Sequence, residues 1–476
     1  MELKKAAIIN AVGKYSTVII QLIVTAILSR ILSPKDYGVV AVVTVFTTFF
    51  TTLSNMGFGT AIIQNKTLTQ KDIDNIYSVT VYISLILSLI FSIMSFAIAW
   101  FYKKQLYIPV TMLLSISLFF NSLNMVPNGV LNRDKRFVTI AVRTVAVYSI
   151  AAVIAIILAL LGLRYYALVL QTIFSALLTF VWNYFSVRPK FNFKVEIESI
   201  KKIANYSGYQ FAFNFVNYFA ANLDNLLTGK FFGHAELGYY NKAYNLTLYP
   251  INNLTGVISP VLHPILSDLQ SNKTVLYQKY IKILKLLSLL GSYAEAICIL
   301  AAHEIIYIVF GNQWGSSVVC FQMLSMCILF RMVNSSSGAI FQSLGDTKRL
   351  FQNGLLNTII SIIAILVGIF CFKDIRGLSI CVGVAYILHY FTASAMLIRG
   401  GFSYTLASYY KELKGEVIIF VGMIAGVIGF MCSGILVIDN LWLSLLTKEV
   451  YVTIIYVLFL LITKEYKVLQ ILVKRN

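Results

Sequence analysis

Charged residues are scarce in this chain of 476 residues, because Asp, Glu, Lys and Arg together make up only 12%. A soluble domain carries about twice that share, ~25%. Hydrophobic residues make up 59%, including 33 Phe and 29 Tyr, and the mean hydropathy is +0.81. A soluble core of this size cannot hide so much apolar surface, and a disordered chain lacks aromatic residues. The composition therefore excludes both classes and indicates an integral membrane protein.

Acidic residues are scarcer than basic ones, with 19 Asp and Glu against 38 Lys and Arg. In a membrane protein this basic excess is typical of cytoplasmic loops, so we expect no nucleic-acid partner. The six cysteines form no CxxC pair, and we expect neither a disulfide framework nor a metal site. No GxxxxGK[ST], HExxH or GxSxG pattern occurs, so we expect no cofactor and no enzymatic activity.

One short pattern is typical of a different class of protein. Asp72 and Asp74 form the DxD triplet of metal-dependent glycosyltransferases. The triplet is common by chance, and we predict that it lies on the cytoplasmic side. A membrane glycosyltransferase is therefore the least favoured of the functions that we consider.

Long apolar runs predict an all-α protein with about fourteen transmembrane helices. The predicted spans cover residues 8–31, 37–63, 77–101, 107–130, 141–163, 165–187, 204–233, 243–266, 281–310, 317–344, 351–372, 375–398, 416–438 and 444–463. Lys and Arg are concentrated in the segments that are cytoplasmic if the N-terminus is inside, so we predict that both termini are cytoplasmic.

Two matched turns indicate an internal repeat. The stretch RILSPKDYG at residues 30–38 aligns without gaps with KFFGHAELG at residues 230–238, and LNRDKR at 131–136 corresponds to LGDTKR at 344–349. Each half holds six predicted spans, so the repeat is parallel, with a pseudo-twofold axis along the membrane normal. We predict an N-terminal lobe (1–190), an interfacial linker (191–203), a C-terminal lobe (204–400) and two additional helices with a cytoplasmic tail (401–476).

Polar residues follow one face of the first and the seventh predicted spans. These stripes include Asn10, Lys14 and Gln21 in the first span and Gln210, Asn214, Asn217 and Asp224 in the seventh. Polar groups within a membrane are costly unless they face protein or water. We therefore favour a water-filled cavity over simple helix–helix hydrogen bonds.

Several further charges lie inside predicted spans. Arg143 is near the inner end of the fifth span, while Glu295 and Arg331 are near the middle of the ninth and tenth. Because consecutive helices are antiparallel neighbours, Glu295 and Arg331 could form a structural pair or serve the function.

Two stretches resemble a known family. ILSRILSPKDYGVVAVV at residues 27–43 and NLDNLLTGKFFGHAELGYYNKAYNLTLYP at residues 222–250 are similar to the signatures of Wzx-type polysaccharide repeat-unit flippases, including those for O-antigen and teichuronic-type polymers. These flippases belong to the superfamily of multidrug, oligosaccharidyl-lipid and polysaccharide exporters.

The resemblance implies a transporter of the bacterial plasma membrane. It would flip an undecaprenyl-diphosphate-linked oligosaccharide from the cytoplasmic to the outer leaflet through a cationic cavity, by alternating access. We expect Lys14, Arg143 and Arg331 to bind the diphosphate, and the amide side chains of the polar stripes to bind sugars. The matched outer turns supply a candidate outer gate, formed by Arg30, Asp36, Lys230 and Glu236.

The energy source and the partners stay open at this point. Membrane potential alone could drive export of an anion, or H⁺ or Na⁺ could couple through Asp224 or Glu295. A polysaccharide polymerase is a candidate partner besides the bilayer. The alternative function is a cation-coupled multidrug extruder of the same fold, which would depend on acids within the membrane.

Overall fold

The computed structural model describes residues 2–55, 67–193, 222–267, 272–433 and 438–468, and also residues 59, 62, 63, 65 and 218. At residues 2–12, 14, 55, 256–267 and 347 it describes only the backbone. Helices account for the regular structure throughout these residues, and none of them forms a strand. The prediction of an all-α protein is confirmed.

The first compact unit runs from Met1 to Gly238. Its helices, in chain order, are α1 (Glu2–Ile31), α2 (Pro34–Asn55), α3 (Gln70–Tyr102), α4 (Tyr107–Leu123), α5 (Met125–Arg133), α6 (Phe137–Leu160), α7 (Tyr165–Val187) and α8 (residues 222–231). Buried side chains of α2, α3, α4 and α7, among them Val42, Phe91, Leu114 and Val169, form its largest apolar core.

The second compact unit runs from Tyr239 to Asn476. Helix α9 (His234–Ser267) leads into it. The later helices are α10 (Lys273–Leu300), α11 (Ala302–Phe310), α12 (Gly315–Ser325), α13 (Ile328–Asn334), α14 (Ser337–Ser343), α15 (Thr347–Val367), α16 (Ile375–Ala395), α17 (Leu406–Glu412), α18 (Lys414–Ser433) and α19 (Leu441–Thr463). Its main core joins α10, α13 and α14 through residues such as Leu284, Met332 and Ile340.

Ten helical stretches of the described residues are long and apolar enough to cross a membrane, and a bent pair raises the number to eleven. Large apolar side chains point outward along them, for example Ile93, Val421 and Leu461, each more than half exposed. Such surfaces need lipid around them. The chain is therefore a multi-pass membrane protein. Thirteen of the fourteen predicted spans overlap described helices, although most of the second span after residue 55 lies outside the described residues. Most of the seventh, 204–233, also lies outside them.

Polar residues at the helix ends explain where the spans begin and stop. Thr69 and Asp72 form a reciprocal capping box at the start of α3, which satisfies backbone N–H groups that lack partners in the first turn. At the opposite ends, basic residues in the left-handed conformation follow the last turn, as Lys103 does after α3 and Lys464 after α19. Cations suit this position because the helix dipole is negative at the C-terminus.

The fourth span of each predicted half is broken rather than continuous. In the first unit the break falls at Asn124, between α4 and α5. In the second, the helical segments Asn312–Ser325 and Ile328–Ser343 meet at an angle of 50°. Short helices, α5 and α14, then lead to the two turns that the sequence aligns. These breaks occur at comparable places and agree with the predicted repeat, whose lobe boundaries stay a prediction.

The two additional C-terminal helices pack onto α10 and α11 through buried polar contacts. Lys285 Nζ lies 3.2 Å from Glu416 Oε1 and 3.1 Å from Glu465 Oε1. Lys448 Nζ lies 2.6 Å from Glu304 Oε1. Removing one partner from such a pair leaves an uncompensated buried charge, so these contacts fix α18 and α19 within the second unit.

Candidate functional site

Arg143 on α6 is the centre of a buried polar network in the first unit. Its Nη1 donates to Asn183 Oδ1 at 2.7 Å and to Asn128 Oδ1 at 3.2 Å, and its Nη2 donates to Thr144 Oγ1 at 3.3 Å. Asn183 in turn donates from Nδ2 to Asn124 Oδ1 at 2.7 Å. Because no carboxylate pairs with Arg143 among the described residues, neutral amides hold this cation in place.

Arg331 on α13 has aromatic surroundings instead. Its guanidinium carbon lies 3.9 Å from the ring centre of Tyr386 and 5.2 Å from that of Tyr244. The two tyrosine hydroxyls are 2.6 Å apart, and Arg331 Nη2 approaches the Tyr244 hydroxyl at 3.4 Å. Aromatic faces stabilise a cation without neutralising its charge. Arg331 therefore keeps its capacity to bind an anion.

Two polar atoms in this region are buried without a hydrogen-bond partner among the described residues. They are the donor Arg331 Nη1 and the acceptor Asn334 Oδ1. The two residues are three positions apart, which places them on the same side of a helix. A buried polar atom without a partner is costly, so the pair is suited to a ligand with both acceptors and donors, as a sugar phosphate has.

Glu295 on α10 caps the broken helix. Its Oε2 accepts a hydrogen bond from the backbone N–H of Leu329 at 2.9 Å, in the first turn of α13, where N–H groups have no acceptor within the helix. Gly291, one turn earlier, allows close packing, because a Cβ there would lie 2.9 Å from Leu329 Cα. Among the ion pairs of the described residues none joins Glu295 to Arg331.

The two matched turns, which the sequence predicts on the outer side, contact each other reciprocally within the first unit. A Cβ on Gly38 would lie 1.7 Å from the carbonyl oxygen of His234, and a Cβ on Gly238 would lie 2.0 Å from that of Pro34. Only glycine permits so close an approach. In the alignment of the two turns, Pro34 corresponds to His234 and Gly38 to Gly238. Each glycine therefore packs against the equivalent residue of the other turn, which is the geometry of a pseudo-twofold contact.

The four predicted gate residues surround these turns. Asp36 Oδ2 accepts from the Ser33 hydroxyl at 2.6 Å and from its N–H at 3.0 Å, so this carboxylate caps α2. Arg30 Nη1 donates to Ala26 O at 2.9 Å. Lys230 Nζ donates to Phe101 O and lies 4.2 Å from the centre of its ring. Glu236 lies in the first turn of α9. Their role as a gate stays a prediction.

The remaining predicted residues are only partly described. Gln210, Asn214 and Asn217 lie outside the described residues, and for Asn10 and Lys14 only the backbone is described, within α1. Gln21 is exposed on α1. A Cβ on Gly13 would lie 2.9 Å from Ala141 Cβ, so the backbone at Lys14 is beside the part of α6 that carries Arg143.

Two acidic features have local partners. Asp224, which is 4% exposed, accepts from the backbone N–H of Asn225 at 2.7 Å. In the DxD triplet, Asp72 belongs to the capping box of α3, and Asp74 Oδ1 accepts from the backbone N–H of Lys190 at 3.0 Å. The triplet therefore has a structural role. No group of three or more metal-ligating side chains occurs within the part of the chain that the structure describes.

Sequence reasoning missed the side chains that surround the two arginines. Tyr244 and Tyr386 are distant from Arg331 in the chain, and tyrosines in apolar runs give no sign of such a cluster. Asn128 and Asn183 gave a weak signal, because amides within a predicted span require partners.

The fold defines the class of protein: a multi-pass, all-α membrane protein with the architecture of known exporters. Among solved structures, the chain is similar to the lipid II flippase MurJ in an inward closed conformation, with a TM-score of 0.74 at 15% identity over 95% of this chain and 98% of that one. It is also similar to an inward-facing multidrug resistance MATE family transporter of the MOP superfamily. There the TM-score is 0.63 at 17% identity, over 79% of this chain and 92% of that one.

The family follows from sequence. A family model described as "Polysaccharide biosynthesis protein" matches residues 27–319, more than half of the chain, so the chain belongs to this family. It is 21% identical to the teichuronic acid biosynthesis protein TuaB of Bacillus subtilis (strain 168), over 87% of this chain and 91% of that protein. It is 23% identical to the lipopolysaccharide biosynthesis protein WzxC of Escherichia coli (strain K12), over 73% of this chain and 71% of that protein.

Proposed function

We propose that the protein flips undecaprenyl-diphosphate-linked oligosaccharide repeat units from the cytoplasmic to the outer leaflet of a bacterial plasma membrane, for the synthesis of a surface polysaccharide. The observation that carries this proposal is the buried, unpartnered pair of Arg331 Nη1 and Asn334 Oδ1. The family of polysaccharide biosynthesis proteins and the names of TuaB and WzxC support the same cargo.

The cargo explains why a membrane protein would bury such a pair. A diphosphate and sugar hydroxyls lose their hydration on entering hydrocarbon, at a large energetic cost. The planar guanidinium of Arg331 donates to phosphate oxygens, while the Asn334 carbonyl accepts from a sugar hydroxyl. The rings of Tyr386 and Tyr244 hold the guanidinium flat between transport events.

Other residues act along the same route in this proposal. Lys14 and Arg143 attract the diphosphate from the cytoplasm, where both termini lie. Sugar hydroxyls bind to the amide side chains of Asn10, Gln21, Gln210, Asn214 and Asn217. The reciprocal contacts of Gly38 with His234 and of Gly238 with Pro34 close the outer side and separate during alternating access. Four charged residues close it with them, and these are Arg30, Asp36, Lys230 and Glu236.

The driving force in this proposal is the membrane potential. An inside-negative potential favours outward movement of an anion by ~2.3 kcal/mol per charge per 100 mV. Coupling to H⁺ or Na⁺ through Asp224 or Glu295 is the alternative. The proposal includes no cofactor and no chemical reaction, and a polysaccharide polymerase is a partner that receives the flipped unit.

Deletion of the gene, followed by mass spectrometry of lipid-linked oligosaccharides, tests the function. We expect diphosphate-linked repeat units to accumulate, and plasmid-borne wild-type protein to clear them. Arg331→Ala should fail to clear them, while the exposed Arg376→Ala, a matched control at the start of α16, should succeed. Equal expression of both variants is checked in membranes.

Another result would overturn the proposal. If no lipid-linked sugar accumulates and sensitivity to cationic drugs rises, the protein is a multidrug extruder. If Arg331→Ala clears the intermediates as well as wild type does, the flippase function survives and the assignment of the Arg331 site falls.

A further inference from the structure

A second site lies apart from the Arg331 cluster, at the end of α3 in the first unit. A cavity of about 760 Å³ is located there. Its lining includes the lysines Lys103, Lys104 and Lys230 and the aromatic side chains of Phe96, Trp100 and Phe101, and none of the described residues that line it is acidic. On the predicted topology this end of α3 faces the outside.

The lysines are held by features of the fold. Lys103 adopts a left-handed backbone conformation with φ 55° and ends α3, its N–H bonding to carbonyls of Ala99 and Trp100. Lys230 Nζ donates to Phe101 O and lies over its ring. An ammonium group has three N–H donors, so Lys230 keeps hydrogen-bonding capacity beyond that carbonyl.

Helix capping alone does not account for this number of cations. Two other helical segments end at one basic residue each. Lys464 follows α19 and Lys373 follows the segment before α16, and both adopt the left-handed conformation. Only the end of α3 adds Lys104 and Lys230 around one cavity. Among these three helix ends, only that of α3 therefore offers an anion several cations around one cavity.

The apolar side of the cavity indicates that the rest of the ligand is an apolar chain. Ile93, Phe96 and Trp100 follow one face of α3 and are 68%, 57% and 81% exposed. In a membrane this face contacts lipid, and a tryptophan at its end is typical of the level of the headgroups. The cavity thus opens where an acyl or isoprenoid chain would lie beside a charged headgroup.

We propose that this cavity binds the phosphate headgroup of a membrane lipid between Lys103, Lys104 and Lys230, with the lipid chain along the Ile93–Trp100 face of α3. The site goes beyond the proposed transport function, because it uses none of the residues assigned to cargo binding. Lys230 would then serve this site in addition to the predicted gate.

Binding to purified full-length protein in neutral detergent tests the proposal. The probe is dioctanoyl phosphatidylglycerol, and the two comparison ligands are inorganic phosphate and dioctanoylglycerol, which carry the phosphate and the chains separately. We expect the phospholipid to bind at least tenfold more tightly than either fragment. Dioctanoylglycerol lacks the charge that each lysine attracts by about fivefold, and inorganic phosphate lacks the apolar chains that would lie along α3.

Variants then locate the site. Lys104→Gln and the double variant Lys103→Gln/Lys104→Gln should weaken phospholipid binding by about fivefold per lysine, and Lys230→Gln by a similar factor. Lys373→Gln is the matched control, because this residue also ends a helical segment beside exposed aromatic side chains, and it should leave binding unchanged.

Three results would overturn the proposal. Equal binding of inorganic phosphate would make this a site for free anions, and equal binding of dioctanoylglycerol would make it an apolar groove. A loss in Lys373→Gln as large as in Lys104→Gln would show non-specific attraction. Because Lys104 is exposed, its single variant remains informative even if the double variant folds poorly.

Discussion

Arg143 in the first unit and Arg331 in the second are both cations within membrane spans, and neither has a carboxylate partner among the described residues. Amide oxygens of Asn128 and Asn183 use the Nη1 donor of Arg143. In contrast, the rings of Tyr244 and Tyr386 hold Arg331 and leave Nη1 without a partner. A buried charge within a span can thus either tie helices together or remain available to a ligand.

Removal of Arg143 should have the largest effect on stability. In Arg143→Ala the amide oxygens of Asn128 and Asn183 lose their donor, at about 1–3 kcal/mol for each buried group. We expect Tm in detergent to fall by about 5 °C or more, with a loss of export. Arg376→Ala is the control. An unchanged Tm in Arg143→Ala would show that the network does not stabilise the first unit.

A carboxylate introduced beside Arg143 should separate its structural role from its charge. Asn183→Asp places an acid 2.7 Å from the Nη1 position and neutralises the positive charge. The link to Asn124 is kept if that amide turns over and donates from Nδ2 to the new carboxylate, in place of the bond from Asn183 Nδ2. We expect export to fall about tenfold, the result of losing one charge-assisted contact, with Tm preserved. The control is Asn312→Asp, at an exposed residue between two predicted spans. Wild-type export in Asn183→Asp would remove Arg143 from the cargo route.

The aromatic surroundings of Arg331 should respond to the ring more than to the hydroxyl. Tyr386→Phe keeps the face that lies 3.9 Å from the guanidinium and should lower export by about threefold or less. Tyr386→Leu removes the cation–π contact, worth about 1–2 kcal/mol when desolvated, and should lower export by about tenfold. Equal effects of the two substitutions would contradict the role assigned to the ring.

Replacement of Glu295 by its amide should have the smallest effect. In Glu295→Gln the side-chain carbonyl still accepts from Leu329 N–H, so both Tm and export should stay at the wild-type level. Glu295→Leu, the matched disruptive variant, leaves that N–H unpartnered and should lower Tm. If Glu295→Gln abolishes export at normal Tm, the residue carries protons and is more than a cap.

The sequence is sufficient to predict the helices, but it is not sufficient to predict which side chains surround Arg143 and Arg331. The apolar runs predict the spans, and the aligned turns predict equivalent positions in the two halves. The helices begin at Pro34 and His234, at matched positions of the two turns and ahead of the predicted span starts at 37 and 243. The break at Met326–Cys327 carries no proline or glycine signal. A readable signal was overlooked at Asp36 and Asp72, since each follows a Ser or Thr by three residues, the spacing of a capping box.

The positions of Tyr244 and Tyr386 could not be predicted, for a physical reason. Helical periodicity shows which residues share a face, but it does not show which helix lies opposite. Arg331 meets side chains 87 positions before it and 55 after it only through the packing of α9, α13 and α16. Lone charges such as Arg331 are visible in sequence, whereas the partners that decide their role are not.

Transport in reconstituted vesicles measures directly whether export of the lipid-linked cargo depends on Arg331. Purified protein is inserted into liposomes with a fluorescent diphosphate-linked oligosaccharide lipid, and the fraction that reaches the opposite leaflet is measured under an imposed potential. We expect Arg331→Ala to transport at least about tenfold more slowly than wild type, because a charge-assisted hydrogen bond is worth about 1.5–3 kcal/mol. Its Tm should fall by only a few degrees, through loss of the cation–π contacts, and the rate of Arg376→Ala should be unchanged. Wild-type transport by Arg331→Ala would show that Arg331 does not bind the cargo.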